Sequence, residues 1–123
     1  MRVYDEAFVT RFLKPWNAHD VGGAMALMTE DRLWEIPRGA EPHGTAFKGS
    51  QAVRTAIAAA FEALPDVRYE LVRSSFGPDL VVVELLVSAT LAGGKRAKFH
   101  ACDVMTVEDG KVAAKRSYRK VVE

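Results

Sequence analysis

The chain has 123 residues, enough for one domain but short for two independent cores. Its 17 Lys and Arg residues against 16 Asp and Glu give a formal net charge of +1, which leaves no extended field to attract nucleic acid or an anionic membrane. Cys102 is the only cysteine, so an intrachain disulfide and a thiolate metal site of the usual spacing are excluded. Residues 1–25 lack a signal peptide's apolar segment, so we expect a cytoplasmic protein. The three histidines are scattered without metal-ligand spacing, so we expect no metal, and no other cofactor.

Helical periodicity dominates the first half of the chain. Apolar residues recur at helical spacing over residues 5–18, where Pro15 should kink or break the last turn. Asp20 is suited to cap a short second helix over residues 21–28. A short strand over residues 33–36 and a loop over residues 38–48 follow. The clearest helix begins at Gly49-Ser50, where Ser50 can cap the free amides, and ends before Pro65.

Strand patterns dominate the second half. Alternating apolar residues predict strands over residues 67–76, 80–91, 95–107 and 112–122, and a turn containing glycine separates each strand from the next. Helices followed by consecutive hairpins indicate an α+β fold, because an alternating α/β fold would interleave them. We therefore predict a single α+β domain over residues 1–123.

Several short motifs occur in an order typical of a known family: Trp16-Asn17-Ala18-His19-Asp20, Phe47-Lys48-Gly49, Val81-Val82-Val83-Glu84, and Cys102-Asp103-Val104-Met105 followed by Asp109-Gly110-Lys111-Val112. Over residues 8–121 the chain resembles the SnoaL-like, ketosteroid-isomerase-like branch of the nuclear transport factor 2-like superfamily. The resemblance implies a cone-like curved sheet, mixed but mostly antiparallel, that wraps around a long helix. N-terminal helices would close an apolar pocket, and members commonly dimerise through the outer face of the sheet.

Asp103 is the residue that best matches a functional position of this family. The resemblance implies that it corresponds to the acid with which the steroid isomerases donate a hydrogen bond to a developing enolate. The tyrosine and the proton-shuttling aspartate of those isomerases fall at Phe12 and Ile36, so we do not expect steroid isomerisation by that mechanism.

The position of Glu84 relative to Asp103 depends on one turn. If Gly93-Gly94 forms a two-residue turn, Glu84 lies opposite Asp103, and two carboxyls in an apolar pocket could act as acid and base. A three-residue turn would instead move Glu84 to the opposite face, the arrangement that the apolar alternation of residues 81–89 favours. Both alternatives are open at this point.

The register of the last strand is open as well. The Asp109-Gly110 turn allows its inner face to carry either Arg116 with Tyr118 or Lys115 with Ser117 and Arg119, and each set offers Asp103 a cation. We expect His43 near the pocket mouth, His19 at the helix junction, and His100 with Cys102 on the outer face. The predicted substrate-binding residues are Phe12, Trp16, Trp34, Phe61, Phe99, Met105 and Arg119.

The leading function is that of a cofactor-independent acid–base enzyme, an isomerase, polyketide-cyclase-like enzyme or dehydratase, acting on a small apolar or aromatic carbonyl compound. Asp103 and Glu84 are its predicted catalytic residues. The competing function is a noncatalytic module of the same fold that binds a small ligand or dimerises. A homodimer is expected because one parity of residues 80–91 is too apolar to face water.

Overall fold

The computed structural model describes residues 4–123, which form two helices, a long hairpin, a third helix and a four-stranded meander. One six-stranded sheet has the order β2-β1-β6-β5-β4-β3, and all of its pairings are antiparallel except the parallel pairing of β1 with β6. The curved, mixed, mostly antiparallel sheet confirms the predicted α+β class. The elements are α1 (Glu6–Ala18), α2 (Val21–Ala26), β1 (Met28–Glu41), β2 (Gly44–Lys48), α3 (Ser50–Ala63), β3 (Arg68–Phe76), β4 (Leu80–Thr90), β5 (Arg96–Glu108) and β6 (Lys111–Arg119).

Helix α1 continues through Pro15 to Ala18, so of the two expected effects of Pro15, a kink or a break, the break is wrong. His19 follows in the left-handed conformation with φ 56°, and its own N–H and the N–H of Asp20 bond to the last carbonyls of the helix. This cap provides donors for the carbonyls of Pro15 and Trp16 at the end of the helix. Asp20 then caps α2 as predicted, because its carboxylate accepts from the Gly23 N–H at 3.0 Å.

The predicted loop over residues 38–48 is instead part of a hairpin, and this correction changes the shape of the site. β1 extends from residue 28 past Pro37 to Glu41, and β2 returns antiparallel to it. The pairing shifts between Ile36 and Glu41, so Pro37 lies in an irregular segment where the missing N–H breaks no regular ladder. Gly44, at φ 82°, reverses the chain where its Cβ position would meet the Ile36 carbonyl.

Helix α3 begins at Ser50, and the residue that caps it is Gly49, which offers no side-chain hydrogen bond. The predicted capping role of Ser50 is therefore wrong, although the predicted start and the end before Pro65 agree with the structure. Its buried face packs against α2, β1 and β2. That face belongs to the same core cluster as Phe99 and Met105 of β5, as expected for a helix on the concave side of the sheet. The buried residues of α3 are Val53, Ala56, Ile57 and Phe61.

The turn between β4 and β5 has three residues. The Leu91 N–H bonds to the Lys95 carbonyl at 2.8 Å and encloses Ala92, Gly93 and Gly94, both glycines having positive φ. The buried alternation of β4 places Val81, Val83, Leu85, Val87 and Ala89 in the core. The three-residue alternative is therefore confirmed, and the register of the whole hairpin follows from it.

Candidate active site

Asp103 is a buried carboxylate on the inner face of β5. It is 4% exposed and lies between core neighbours on the same face of its strand. The Ser117 hydroxyl donates to Oδ1 at 2.7 Å, and the Lys115 ammonium lies 3.4 Å from Oδ2. Each carboxylate oxygen of Asp103 therefore has one partner, a hydroxyl at Oδ1 and an ammonium at Oδ2.

The register of β6 determines which cation reaches Asp103. Asp103 pairs with Ser117 across the ladder, so the set with Lys115, Ser117 and Arg119 faces inward. Arg116 points to the other face, where its guanidinium lies 3.7 Å from Glu35. The alternative with Arg116 and Tyr118 on the inner face is thereby wrong.

Lys115 is buried to the same degree as its partner, with 5% of its surface exposed. Its Nζ atom lies 4.4 Å from the centre of the Trp16 ring and 4.9 Å from that of Trp34. Indole faces are negative and attract an ammonium, so the two rings replace part of the water that burial removes. Ser117 completes the shell, because the ammonium donates to its hydroxyl at 3.1 Å.

Glu84 does not join this site, because it pairs with Cys102 and Val83 is the residue opposite Asp103. The alternative that places the two carboxyls side by side is therefore wrong, and Glu84 does not share a site with Asp103. The physical reason is the additional residue in the turn, which moves Glu84 to the outer face. There its carboxylate lies 3.0 Å from the Arg73 guanidinium and 3.6 Å from the His100 ring.

The predicted aromatic residues lie together in the core, with Trp16 as the centre of the cluster. Its ring contacts those of Phe12, Trp34 and Phe61 at centroid distances of 6.1, 5.3 and 5.8 Å. All four rings are buried. Two of them, Trp16 and Trp34, lie against the Lys115 ammonium.

The remaining predicted binding residues lie along β5 and at the end of β6. Phe99 and Met105 are buried on the same face as Asp103. Arg119 is exposed, and its guanidinium lies against Phe99, 3.9 Å from the ring centre. This contact fixes a cation at the rim of the inner face.

Tyr69 of β3 is an inner-face residue that the sequence alone did not identify. Its ring meets the edge of Trp16 at 6.1 Å, and its backbone is held at both ends by Asn17 through bonds of 2.8 and 2.9 Å. Burial, and in second place the charge of Asp103, raise the pKa of the Tyr69 hydroxyl above its ordinary value of 10.0. The hydroxyl therefore remains protonated at neutral pH. The only sequence feature connected with Tyr69 is the Trp-Asn-Ala-His-Asp motif, because the side chain of its asparagine, Asn17, bonds to the Tyr69 backbone.

The histidines occupy three separate places. His19 stacks on Phe61 at 4.6 Å and its Nε2 lies 2.9 Å from the Val67 carbonyl oxygen, so it closes the helix junction. His43 lines a cavity at the β1–β2 hairpin, and His100 lies on the outer face. No group of three potential metal ligands occurs within residues 4–123.

Two open volumes flank the sheet. The one at the hairpin measures about 290 Å³, and its wall includes Glu35, Arg38, His43, Ser117 and Arg119. Since the Ser117 hydroxyl bonds to Asp103, this cavity comes within one side chain of the buried pair. The second, about 710 Å³, is an open groove on the outer face around Glu84 and His100.

These features define a class: an open curved sheet with helices on its concave side and a charged pair buried among aromatic rings. The family model described as SnoaL-like domain matches residues 9–115. The chain therefore belongs to the SnoaL-like domain family, within the nuclear transport factor 2-like fold, as the motifs predicted. No curated protein was found to match the sequence.

Solved structures agree on the fold. TerC, co-crystallised with polyporic acid, is 20% identical with a TM-score of 0.81, over 94% of this chain and 90% of TerC. SalBIII, an epoxide hydrolase/cyclase-like enzyme of pyran ring formation in the polyether salinomycin, is 24% identical with a TM-score of 0.79, over 94% and 90%. An NTF2-like protein of unknown function from Burkholderia pseudomallei K96243 is 19% identical with a TM-score of 0.82, over 94% and 89%. At these identities the likeness establishes the fold alone.

No helix within residues 4–123 has both the length and the apolar character needed to cross a bilayer.

Proposed function

We propose that the protein is a cofactor-independent acid–base enzyme, an isomerase, cyclase or dehydratase, for a small apolar or aromatic carbonyl compound. The observation that carries this proposal is the buried Asp103 carboxylate, 4% exposed and surrounded by apolar and aromatic side chains. A carboxylate held at a fixed position among apolar side chains can transfer a proton to or from a substrate carbon placed beside it. The family contains cyclases and isomerases, and SalBIII is described as cyclase-like, which is consistent with this choice.

The hydrogen bonds around Asp103 assign it the role of base. Ser117 donates a hydrogen bond to one carboxylate oxygen and the Lys115 ammonium lies beside the other, so both neighbours of Asp103 are donors and its oxygens serve as acceptors. It takes a proton from the carbon next to the substrate carbonyl, the electron pair of that bond forms an enolate, and the proton returns to another position. The Lys115 ammonium provides positive charge beside the developing enolate. In this proposal Asp103 is a base, whereas the sequence resemblance implied that it is an acid that donates a hydrogen bond.

A noncatalytic binding module is the second candidate, and two observations favour it. The charges of Lys115 and Asp103 satisfy each other, and buried pairs of this kind also serve structure alone. The resemblance to the steroid isomerases also places Phe12 and Ile36 where those enzymes carry a tyrosine and a proton-shuttling aspartate.

Exchange of substrate protons for deuterium separates these candidates before the natural substrate is identified. A panel of small ketones and aldehydes with acidic α-protons is incubated in deuterium oxide, and deuterium uptake is followed by NMR. The proposal predicts uptake above the buffer rate for at least one compound, and a loss of about 10²–10⁴-fold in Asp103→Asn. Circular dichroism checks that the variant folds. Uptake that Asp103→Asn leaves unchanged would refute the role of Asp103.

We also propose that the enzyme works in the cytoplasm as a homodimer whose subunits meet at the outer face of the sheet. Leu80 of β4 and Val72 of β3 are each 39% exposed, and Tyr118, 57% exposed, lines the 710 Å³ groove together with Val82. Apolar surface of this extent is typical of contacts. A second copy suits it because a two-fold axis places the same patch on both partners.

Sedimentation at micromolar concentration tests the dimer. We expect a dimer for the wild type and a monomer for Val82→Glu, which adds a charge to the groove. Arg54→Gln, on the exposed side of α3, is the matched control and should remain dimeric. A wild-type monomer would contradict the proposal.

A further inference from the structure

The cavity at the β1–β2 hairpin lies where two paired strands separate. The parallel pairing of β1 with β6 ends at Glu35 and Arg116, although β1 continues to Glu41 and β6 to Arg119. Two positions beyond Glu35 is Pro37, which has no N–H to continue the ladder. The 290 Å³ cavity is lined by residues of this hairpin and of the end of β6 alone, so it is separate from the aromatic core between the sheet and the helices.

Two arginines without a carboxylate partner line this cavity. They are Arg38 of β1 and Arg119 of β6, both exposed. Within residues 4–123 neither guanidinium lies within ion-pair distance of a carboxylate. The contact that restrains Arg119 is the Phe99 ring, 3.9 Å from the guanidinium carbon, and a ring accepts no strong hydrogen bond from the guanidinium N–H groups. Two such groups on one wall favour an anion inside it.

The acidic residues of the wall do not cancel this charge. Glu35 already has a cation outside the wall, because the Arg116 guanidinium lies 3.7 Å from its carboxylate. Glu41 is the other carboxylate of the wall, so the two arginines against Glu41 leave one positive charge unbalanced. His43 adds a further donor at the same wall. A single excess charge suits a singly charged anion better than a dianion such as phosphate.

We propose that this cavity binds the carboxylate of a small aromatic acid between Arg38 and Arg119. A guanidinium is planar and can donate two parallel hydrogen bonds to a carboxylate, which makes arginine suited to this group. The apolar part of the ligand contacts Pro37, Pro42 and Tyr118, which line the same cavity and offer flat surface to a ring. The volume of about 290 Å³ is at the lower end for small-molecule sites, which limits the ligand to about one ring.

Two probes of the same shape test the requirement for negative charge. They are 4-fluorobenzoate and 4-fluorobenzamide, which differ in the charge of one substituent, and ¹⁹F NMR titration gives the affinity of each. Hydrogen bonds between charged groups are stronger than neutral ones, so we expect the wild type to bind the benzoate about tenfold more tightly than the amide. No binding of 4-fluorobenzoate, or equal affinities for both probes, would overturn the inference.

Three variants locate the bound acid. Of the two open volumes, Arg38 lines only the hairpin cavity and Arg73 lines only the outer groove, while Arg119 lines both. We expect Arg38→Gln and Arg119→Gln each to weaken benzoate binding about tenfold and to leave amide binding unchanged. Arg73→Gln removes the same charge elsewhere and should leave both affinities unchanged. The reverse pattern for Arg38→Gln and Arg73→Gln would place the ligand in the outer groove and overturn the inference.

All three arginines are exposed, so the variants should fold, and circular dichroism checks this. Inorganic phosphate tests the ligand class, because sodium phosphate should displace 4-fluorobenzoate no better than sodium chloride of equal ionic strength. Stronger displacement by phosphate would indicate a site for inorganic anions and contradict the aromatic acid. The site is independent of the proposed acid–base function, since neither Asp103 nor Lys115 lines the cavity. Binding of the benzoate and deuterium uptake are therefore separate outcomes.

Discussion

The two faces of the sheet carry ion pairs of similar composition in different environments. On the inner face, Asp103 and Lys115 are 4% and 5% exposed and lie among aromatic rings. On the outer face, Glu84 meets Arg73 and His100 with side chains that are 32%, 75% and 51% exposed. Glu84 follows Val83, the residue that pairs with Asp103, so its side chain points to the opposite face of the sheet. A shift of one residue in the pairing therefore separates the two environments. Burial, more than chemical type, therefore decides what each carboxylate can do.

The largest expected effect comes from removing the inner cation. Lys115→Met leaves Asp103 buried without its partner, and we expect a loss of about 3–5 kcal/mol in the free energy of unfolding. Urea unfolding measures it. Lys98→Met, on the exposed side of β5, is the matched control and should change stability by less than ~0.5 kcal/mol. Equal effects of both variants would remove the distinction between the faces.

Removing the outer carboxylate should matter much less. Glu84→Gln breaks the 3.0 Å contact with an arginine that is 75% exposed, and exposed pairs contribute only about 0.2–1 kcal/mol. We expect a loss within that range in the same urea assay, further reduced by added salt. A loss as large as that of Lys115→Met would contradict the exposure of the outer pair seen in the single chain.

The smallest effect concerns Asp66, an exposed carboxylate before β3. Hydrogen bonds from Thr90, and then the nearby Arg96, lower the pKa of Asp66 from its ordinary 3.8. A lowered pKa stabilises the fold above the unfolded value, and this contribution disappears as the pH falls through the folded value. Asp66→Asn should therefore cost a little stability at neutral pH, and the two unfolding curves should converge below pH 3.8. A difference that is constant with pH would contradict this explanation.

The strands of the second half could be predicted because their signals are local. Alternating apolar residues and glycine turns placed β3 to β6 within a few residues of the structure. The β1–β2 hairpin escaped prediction because Pro37 and its neighbouring glycines are typical of loops, whereas here they lie in an irregular part of a paired strand.

The site could be predicted only in part. Asp103 and the aromatic residues were found from alternation and motif, but the partner of Asp103 depended on turn length and on the β6 register. Gly93-Gly94 is compatible with turns of two or three residues, and that one residue moves Glu84 across the sheet. Tyr69 was missed because its role depends on a contact with Asn17, 52 residues away in sequence.

The most direct test of the proposed base compares the two carboxylates in one assay. Deuterium uptake at the α-carbon of an active ketone is measured for wild type, Asp103→Asn and Glu84→Gln, each at equal folded concentration. We expect Asp103→Asn to lose about 10²–10⁴-fold of the rate while Glu84→Gln retains it. Retained uptake in Asp103→Asn, or an equal loss in both variants, would contradict the claim that the buried inner-face carboxylate is the base.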